Sequence, residues 1–323
     1  MREIIIDKND DNQRLDRFLG KYLNKAPASL IQKFIRKKRI KVNKKRADPK
    51  LMLKEGDIIN IYIYDEVLEE YIERHEYDSE DYNIELIYDD DNISIVYKDT
   101  GILTHPASKD DYGDTLVDEY IKMLIAKKEY IPRIEKSFTP AFANRLDRNT
   151  SGILIACKNH DSLKAINASI KKKGIKRKYR TIVYGNISEQ LVIDKYLIKS
   201  DNKNRMNISN EGIEAKTIIR PILNKSGFSL VEAELITGRT HQIRAHLNSI
   251  GHPIIGDRKY GRSDINRKFI DIGLNNQYLI AYKLELGNLV DEFEYLNNMK
   301  FKLDESKYNE KLEKRLFGGI YEI

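Results

Sequence analysis

Ala143-Asn144-Arg145-Leu146-Asp147-Arg148-Asn149-Thr150-Ser151-Gly152, running on into Ile153-Leu154-Ile155-Ala156-Cys157, is the stretch that decides how this chain is read. It sets a carboxylate between two arginines, then a Thr-Ser-Gly turn, then an apolar run with the character of a buried strand. A turn beside a buried strand holds a side chain rigidly at a cavity edge. The tetrapeptide alone is ambiguous, because Arg14-Leu15-Asp16-Arg17 repeats it. There Leu15, Phe18, Leu19, Tyr22 and Leu23 share one helical face. Asp16 falls on the polar side near the helix start, where a negative charge is favourable.

Upstream of the quoted stretch the charge changes sign. Between Arg14 and Lys50 stand fourteen Lys/Arg against Asp16 and Asp48, and between Asp65 and Asp91 thirteen acids against Arg74. That reversal predicts a basic binding module followed by a different unit. The module comprises a short strand from Glu3 to Ile6, the Leu15 helix, and a second helix from Pro27-Ala28-Ser29 through Ile35. The basic corner Arg36-Lys37-Lys38-Arg39, the strand Ile40–Val42 and a last strand Ile58–Tyr64 complete it. Residues 65–82 show little periodicity and read as an acidic linker. The second domain is placed at 83–303. It opens with a hairpin at 84–88 and 93–98 and a helix from about Thr115 to Lys127. Strand 153–157 follows, then a helix from His160 to about Lys173 that ends at Gly174, then a strand Thr181–Tyr184. Further strands are predicted at 215–223, 228–236 and 278–286. Residues 304–323 read as a charged, peripheral extension, with Leu316-Phe317 and Ile320-Tyr321-Ile323 as its docking residues.

Composition excludes several classes. The chain has 323 residues, a net charge of +7 and one cysteine, so no intramolecular disulfide forms and a reducing cytoplasm is expected. No apolar window reaches the roughly 20 residues of a spanning helix. There is no Gly-x-Gly-x-x-Gly after a strand, no phosphate loop and no Gly-x-Ser-x-Gly elbow. The six histidines and one cysteine lack metal-ligand spacing, so neither metal nor cofactor is expected. What remains is polar and basic. The run Thr237-Gly238-Arg239-Thr240-His241-Gln242-Ile243-Arg244-Ala245-His246-Leu247 reads as a turn entering a helix. An arginine on such a helix can pair with a carboxylate and fix its oxygens, or it can simply contact phosphate.

These blocks resemble a known family. Asn144 to Gly152 is similar to the His/Asn-Arg-Leu-Asp-x-x-Thr-Ser-Gly signature of the RluA family of RNA pseudouridine synthases. Lys178-Tyr179-Arg180 resembles that family's Lys-x-Tyr region, and Gly238–Arg244 with Gly251–Gly261 resembles its third block. Residues Gln13–Tyr64 resemble the S4-like RNA-binding domain that larger members carry. The resemblance implies an α+β fold, with a small αα-β RNA-binding domain ahead of a catalytic domain on a mixed, largely antiparallel sheet. It implies Asp147 as the catalytic carboxylate, Arg145 entering the RNA where a uridine is flipped out, Tyr179 stacking on the base or taking a proton, and Arg244 pairing with Asp147. Lys37, Lys38, Arg39, Lys178 and Arg239 are expected to contact RNA. Two departures bear on the loop geometry: Tyr97-Lys98-Asp99-Thr100-Gly101 lacks the usual proline, and Ile280 stands where a histidine often precedes Ala281.

The implied reaction breaks the glycosidic bond to the ring nitrogen, rotates the base and rejoins the sugar to carbon 5. A carboxylate can serve by attacking the anomeric carbon, adding to the pyrimidine, or removing the 2′ proton. The expected substrate is structured RNA, large-subunit ribosomal RNA foremost. Spacing around Arg205-Met206 and Gly238–Arg244 resembles the synthase C type, with D-type and tRNA-acting members as alternatives. The expected state is a cytoplasmic monomer without an obligate protein partner or membrane attachment. The rival from another class is a non-catalytic RNA-binding or ribosome-assembly factor. A carboxylate-dependent glycoside hydrolase would want a second paired acid near the motif.

Overall fold

A computed structural model describes residues 1–73, 81–131, 137–200 and 205–318. The N-terminal unit is a four-stranded sheet of β1 (Arg2–Ile5), β2 (Ile40–Val42), β3 (Lys45–Arg46) and β4 (Ile58–Ile61) in the order β1-β4-β2-β3. Helices α1 (Leu15–Tyr22) and α2 (Ala28–Arg36) cover it. Leu15, Phe18, Leu19 and Leu23 meet Ile31, Phe34 and Ile35 over Ile40, Ile59 and Ile61 in one buried cluster, as their helical and strand periodicities require. The acidic segment differs from the expected linker at its start. Asp65–Glu69 form a short helix, α3, whose Leu68 enters the same core, while Asp65 and Glu69 take the two ends of the Arg2 guanidinium. One buried apolar side chain in a run of acids is too weak a period to detect.

The second unit is built on an eleven-stranded sheet. Its strands are β5 (Glu85–Asp89), β6 (Ile93–Lys98), β7 (Ala141–Phe142), β8 (Ser151–Cys157), β9 (Lys176–Tyr184), β10 (Leu191–Lys199), β11 (Met206–Ser209), β12 (Ile213–Lys225), β13 (Phe228–Leu235), β14 (Leu279–Glu285) and β15 (Lys300–Lys302). The path runs β11-β10-β12-β13-β9-β14-β8-β6-β5, with β7 beside β8 and β15 beside β14. All pairs are antiparallel except β14 with β8. The helices are α4 (Leu116–Ala126), α5 (His160–Lys171), α6 (Gln242–Ser249), the one-turn α7 (Ser263–Asn266) and α8 (Glu310–Phe317). The mixed, largely antiparallel α+β architecture is the one expected.

Strand alternation divides the core between the two faces. Ile153 and Ile155 point to one face with α5, α8 and the region after α7, whereas Leu154 and Ala156 point to the other with α4 and α6. Fully covered on both sides, β8 is a continuous apolar run. Gly152 is obligatory at the parallel joint. Its φ is 130°, and a Cβ there would lie 2.4 Å from the Ala281 carbonyl oxygen. Gly174 has a different job from the helix stop assigned to it. Lys173 takes the left-handed turn (φ 60°), and Gly174 is needed because a Cβ would meet the Gly287 carbonyl oxygen.

The C-terminal extension is not peripheral. Leu312, Leu316 and Phe317 of α8 lie in the main core, and Glu313, fully buried, takes both Arg180 Nε (2.9 Å) and Nη2 (2.7 Å) and the Tyr278 hydroxyl. Ile320, Tyr321 and Ile323 lie outside the described residues. The two units touch through Gln13 Nε2 on Ser137 Oγ (2.9 Å), the His160 amide on Asn9 Oδ1 (3.3 Å) and Lys8 beside Asp161 (3.7 Å). Among the described residues no helix is long and apolar enough to cross a membrane.

Candidate active site

Asp147 lies in the turn between β7 and β8, closed by the Thr150 amide on the Asp147 carbonyl at 3.0 Å. The turn is held from two sides. Thr104 Oγ1 donates to the Leu146 carbonyl (3.1 Å) and accepts the Leu146 amide (3.2 Å). Lys98, fully buried, gives its ammonium to the carbonyls of Asp99 (2.8 Å), Ile102 (2.9 Å) and Arg148 (3.0 Å). Burial pushes the Lys98 pKa down to about 8, against the opposing attraction of Asp147 and Asp99. Leu146 is buried, which turns Asp147 the other way, toward a cavity of about 550 Å³.

Arg244, on the first turns of α6, donates Nη1 to Asp147 Oδ2 at 2.7 Å. Its other edge is taken by Asp257, with Nε on Oδ2 at 2.7 Å and Nη2 on Oδ1 at 2.9 Å. Asp257 is wholly buried and also accepts the amides of Lys259 (2.8 Å) and Tyr260 (2.9 Å). Burial works to raise this carboxyl's pKa, but the Arg244 bonds and charge outweigh it and hold the group below the usual carboxylate range. The guanidinium thus reaches Asp147 with its orientation already fixed. Asp147 Oδ1 makes no hydrogen bond with any described residue.

His241 occupies the left-handed position ahead of α6 (φ 53°), with Nε2 3.8 Å from Asp147 Oδ2 and Nδ1 3.1 Å from the Tyr260 hydroxyl. Tyr260 in turn accepts the Met206 amide at 2.6 Å and lies under the Arg244 and Arg205 guanidiniums. Burial lowers the His241 pKa, Asp147 opposing and Arg244 assisting, so the imidazole is neutral at neutral pH. His246, five residues on, does not join it, because its Nδ1 turns to Thr217 Oγ1 at 2.9 Å. Among the described residues no group of three or more His, Cys, Asp or Glu is placed to hold a metal ion.

Tyr179 forms another wall, buried beside Leu279 and Ile243. Burial pushes its hydroxyl up to about 12, with Arg177 opposing and Asp147 adding to the rise. The strand here begins at Lys176, five residues before the expected Thr181, because the basic run pairs in register with β13 and β14. Alternation then settles each side chain's face. Arg177 and Tyr179 face the cavity, while Lys178 and Arg180 face the opposite side. Lys178, expected on RNA, instead stands 3.5 Å from Glu232 and 3.8 Å from Glu285. Arg177, not singled out from the sequence, takes its place in the cavity wall.

Arg145 and Arg239 also line the cavity, both exposed. Arg239 donates Nε to the Glu214 carbonyl (3.1 Å), and its amide is bound by Gln242 Oε1 (3.0 Å), which shapes the turn into α6. Lys37, Lys38 and Arg39 are exposed on the N-terminal unit, with no acidic partner among the described residues. The departures from the family blocks leave the site intact. Lys98 is seated without a following proline, and Ile280 is a buried member of β14.

Residues 92–249 match the model of the RNA pseudouridylate synthase family, and residues 13–59 match the S4 domain model. An uncharacterized RNA pseudouridine synthase of Mycoplasma capricolum is 33% identical over 307 residues, which cover 92% of this chain and 96% of that one. Ribosomal large subunit pseudouridine synthase C of Escherichia coli is 30% identical over 87% of each chain. Among solved structures, human RNA pseudouridylate synthase domain containing 4 shares the fold at 20% identity with a TM-score of 0.54. That match covers 72% of this chain and 93% of that one.

Proposed function

The chain belongs to the RNA pseudouridylate synthase family and is an RNA pseudouridine synthase; from that premise we propose that its substrate is large-subunit ribosomal RNA and that Asp147 is the reacting carboxylate. The observation that carries the assignment of Asp147 is its pairing with Arg244 at 2.7 Å at the edge of a cavity walled by Tyr179. The volume suits one flipped nucleotide. The substrate reading draws on relatives named as large-subunit synthases and on the exposed cations of the N-terminal unit, Lys37, Lys38 and Arg39, which suit phosphates.

Arg244 Nη1 takes Asp147 Oδ2, with His241 Nε2 beyond hydrogen-bond reach at 3.8 Å, and Oδ1 is left for the nucleotide. In each of the three routes open to a carboxylate, that oxygen is the one offered to the anomeric carbon, the ring or the 2′ proton. Arg244 keeps its aim because Asp257 holds its other edge, so little reorganisation is needed as charge shifts on Asp147. The apolar wall excludes water while the base is detached, which protects it from hydrolysis. With a pKa near 12, Tyr179 is ionised in only about one molecule in 10⁵ at neutral pH. Its part is therefore the flat surface under the base, and the carbon 5 proton leaves to water. Arg145, exposed at the cavity mouth, fills the gap left in the RNA. We place the enzyme in the cytoplasm as a monomer.

The test is pseudouridine mapping of ribosomal and transfer RNA from cells lacking the protein, complemented with wild type or Asp147→Asn. Wild type restores the missing large-subunit positions and the variant restores none. Full restoration by Asp147→Asn refutes the catalytic assignment, and loss confined to transfer RNA refutes the substrate.

A further inference from the structure

The cavity wall carries six cations, Arg145, Lys171, Lys173, Arg177, Arg239 and Arg244, against one carboxylate, Asp147, which Arg244 already pairs. Most of these are exposed and answerable to water, but Arg177 is different. Its Nε is buried and has no hydrogen-bond acceptor, and its side chain makes no ion pair with any described residue. Its seat is specific. Nη1 lies 2.8 Å from where a Cβ on residue 238 would stand, so Gly238 makes room for the guanidinium.

Among the described residues Arg205 also has a buried Nε without an acceptor, but its guanidinium is spent on the face of the Tyr260 ring, and the two most buried guanidiniums are matched. Arg180 and Arg244 each hold a carboxylate with two prongs. An arginine held in a cavity wall with a buried donor unpaired is costly unless an acceptor arrives with the substrate. The acceptor must be anionic and offer two oxygens to a planar fork, which describes a phosphodiester. Position identifies which one. Arg177 and Tyr179 are two residues apart on the same strand face, roughly 7 Å along the strand. A nucleotide whose base lies on Tyr179 brings its sugar–phosphate backbone into that range.

We propose that Arg177 binds a backbone phosphate of the RNA next to the nucleotide whose base lies on Tyr179. The assignment rests on the pseudouridine-forming reading of the cavity. Lys171, Lys173 and Arg239 surround the same point and supply diffuse attraction, whereas Arg177 supplies the directed contact.

The experiment compares wild type, Arg177→Met and Arg177→Lys on a large-subunit rRNA transcript labelled with 5-tritiated uridine. It measures binding across a salt series, together with tritium release and thermal melting of each protein. Arg177→Met is expected to bind about ten- to a hundredfold more weakly, the scale of a charge-assisted hydrogen bond. Its slope of log affinity against log salt should be shallower by about 0.7 to 0.9, one phosphate contact. Arg177→Lys should recover the slope but only part of the affinity, since an ammonium keeps the charge without the fork. A merely structural role moves melting and leaves the slope unchanged. An unchanged slope in a folded Arg177→Met protein, while wild type releases tritium, overturns the inference alone. If wild type binds the transcript and releases no tritium, the functional reading falls and the inference with it.

Discussion

Replacing Asp257 with Asn probes the support behind Asp147 without touching the cavity. The carboxylate is fully buried and has divided duties: Oδ1 accepts Arg244 Nη2 and the amides of Lys259 and Tyr260, while Oδ2 accepts Arg244 Nε alone. An asparagine keeps the Oδ1 contacts by placing its carbonyl there. Its NH₂ then faces Arg244 Nε, donor against donor. Unpairing one member of a buried ion pair costs about 3–5 kcal/mol. For a unit of this size that is a melting decrease of roughly 6–20 °C. Released on one edge, Arg244 turns its fork to Asp147, its remaining carboxylate, and draws it from position. A displacement of about 1 Å in a reacting group costs on the order of 10²-fold in rate.

The assay is single-turnover tritium release from 5-tritiated uridine in the rRNA transcript, run well below the variant's melting temperature, beside binding of the same RNA. Binding should be nearly unchanged while the rate falls about a hundredfold. The pH dependence of stability follows from the depressed folded pKa of Asp257. Its contribution is complete above the ordinary aspartate value and is lost as pH falls through the lower folded value. Wild type should therefore lose stability in the acid range below about pH 4 more steeply than Asp257→Asn. A variant that melts within about 1 kcal/mol of wild type and reacts within a few-fold would refute the idea that Asp257 fixes Arg244.

Gly152→Ala should destabilise the second unit by several kcal/mol, roughly 3 or more, because left-handed backbone and a 2.4 Å clash with the Ala281 carbonyl coincide at the β8–β14 joint. Urea unfolding measures it, and a variant as stable as its parent would show that the parallel joint can open without penalty. Glu313→Gln should cost about 3–5 kcal/mol by leaving Arg180 short of charge in a dry site, and Arg180→Met in the same chain should recover part of that. Thermal melting of the singles and the double decides this, with strict additivity as the contrary result.

What could be read from the sequence was whatever repeats at a fixed period or stands in a long ordered motif. Strands 84–88, 93–98 and 153–157 show alternation or an unbroken apolar run, and their partners follow from two-face burial. Asp147 and Arg244 stand 97 residues apart and are joined only by motif order, yet the bond is there at 2.7 Å. Phase was harder to read. Between Lys171 and Arg180 the residues are so uniformly basic that hydrophobicity carries no alternation, so strand and loop look alike and Lys178 could not be told from Arg177. The terminal helix was lost for a similar reason: Leu312, Leu316 and Phe317 form a narrow stripe among charges, and one of those charges, Glu313, is itself fully buried. Lys98 and Asp257 sat inside quoted blocks, but nothing in a string says that a lysine will be satisfied by three carbonyls.

The two copies of Arg-Leu-Asp-Arg show where the sequence signal stops and why. In both, leucine is the buried residue and turns the aspartate outward, so locally the strings do the same thing. At the first copy the nearest guanidinium is in the string itself, and Arg14 Nε takes Asp16 Oδ1 at 3.0 Å. That carboxylate is spent on its own helix start. At the second copy the flanking arginines are drawn elsewhere, Arg148 toward Asp111 at 3.6 Å and Arg145 into the cavity mouth. Asp147 is left to a guanidinium that α6 supplies and Asp257 aims. Chemistry at Asp147 therefore depends on what its neighbours in sequence decline to do. Any substitution that lets Arg145 or Arg148 fold back onto Asp147 would reproduce the first copy and silence the second.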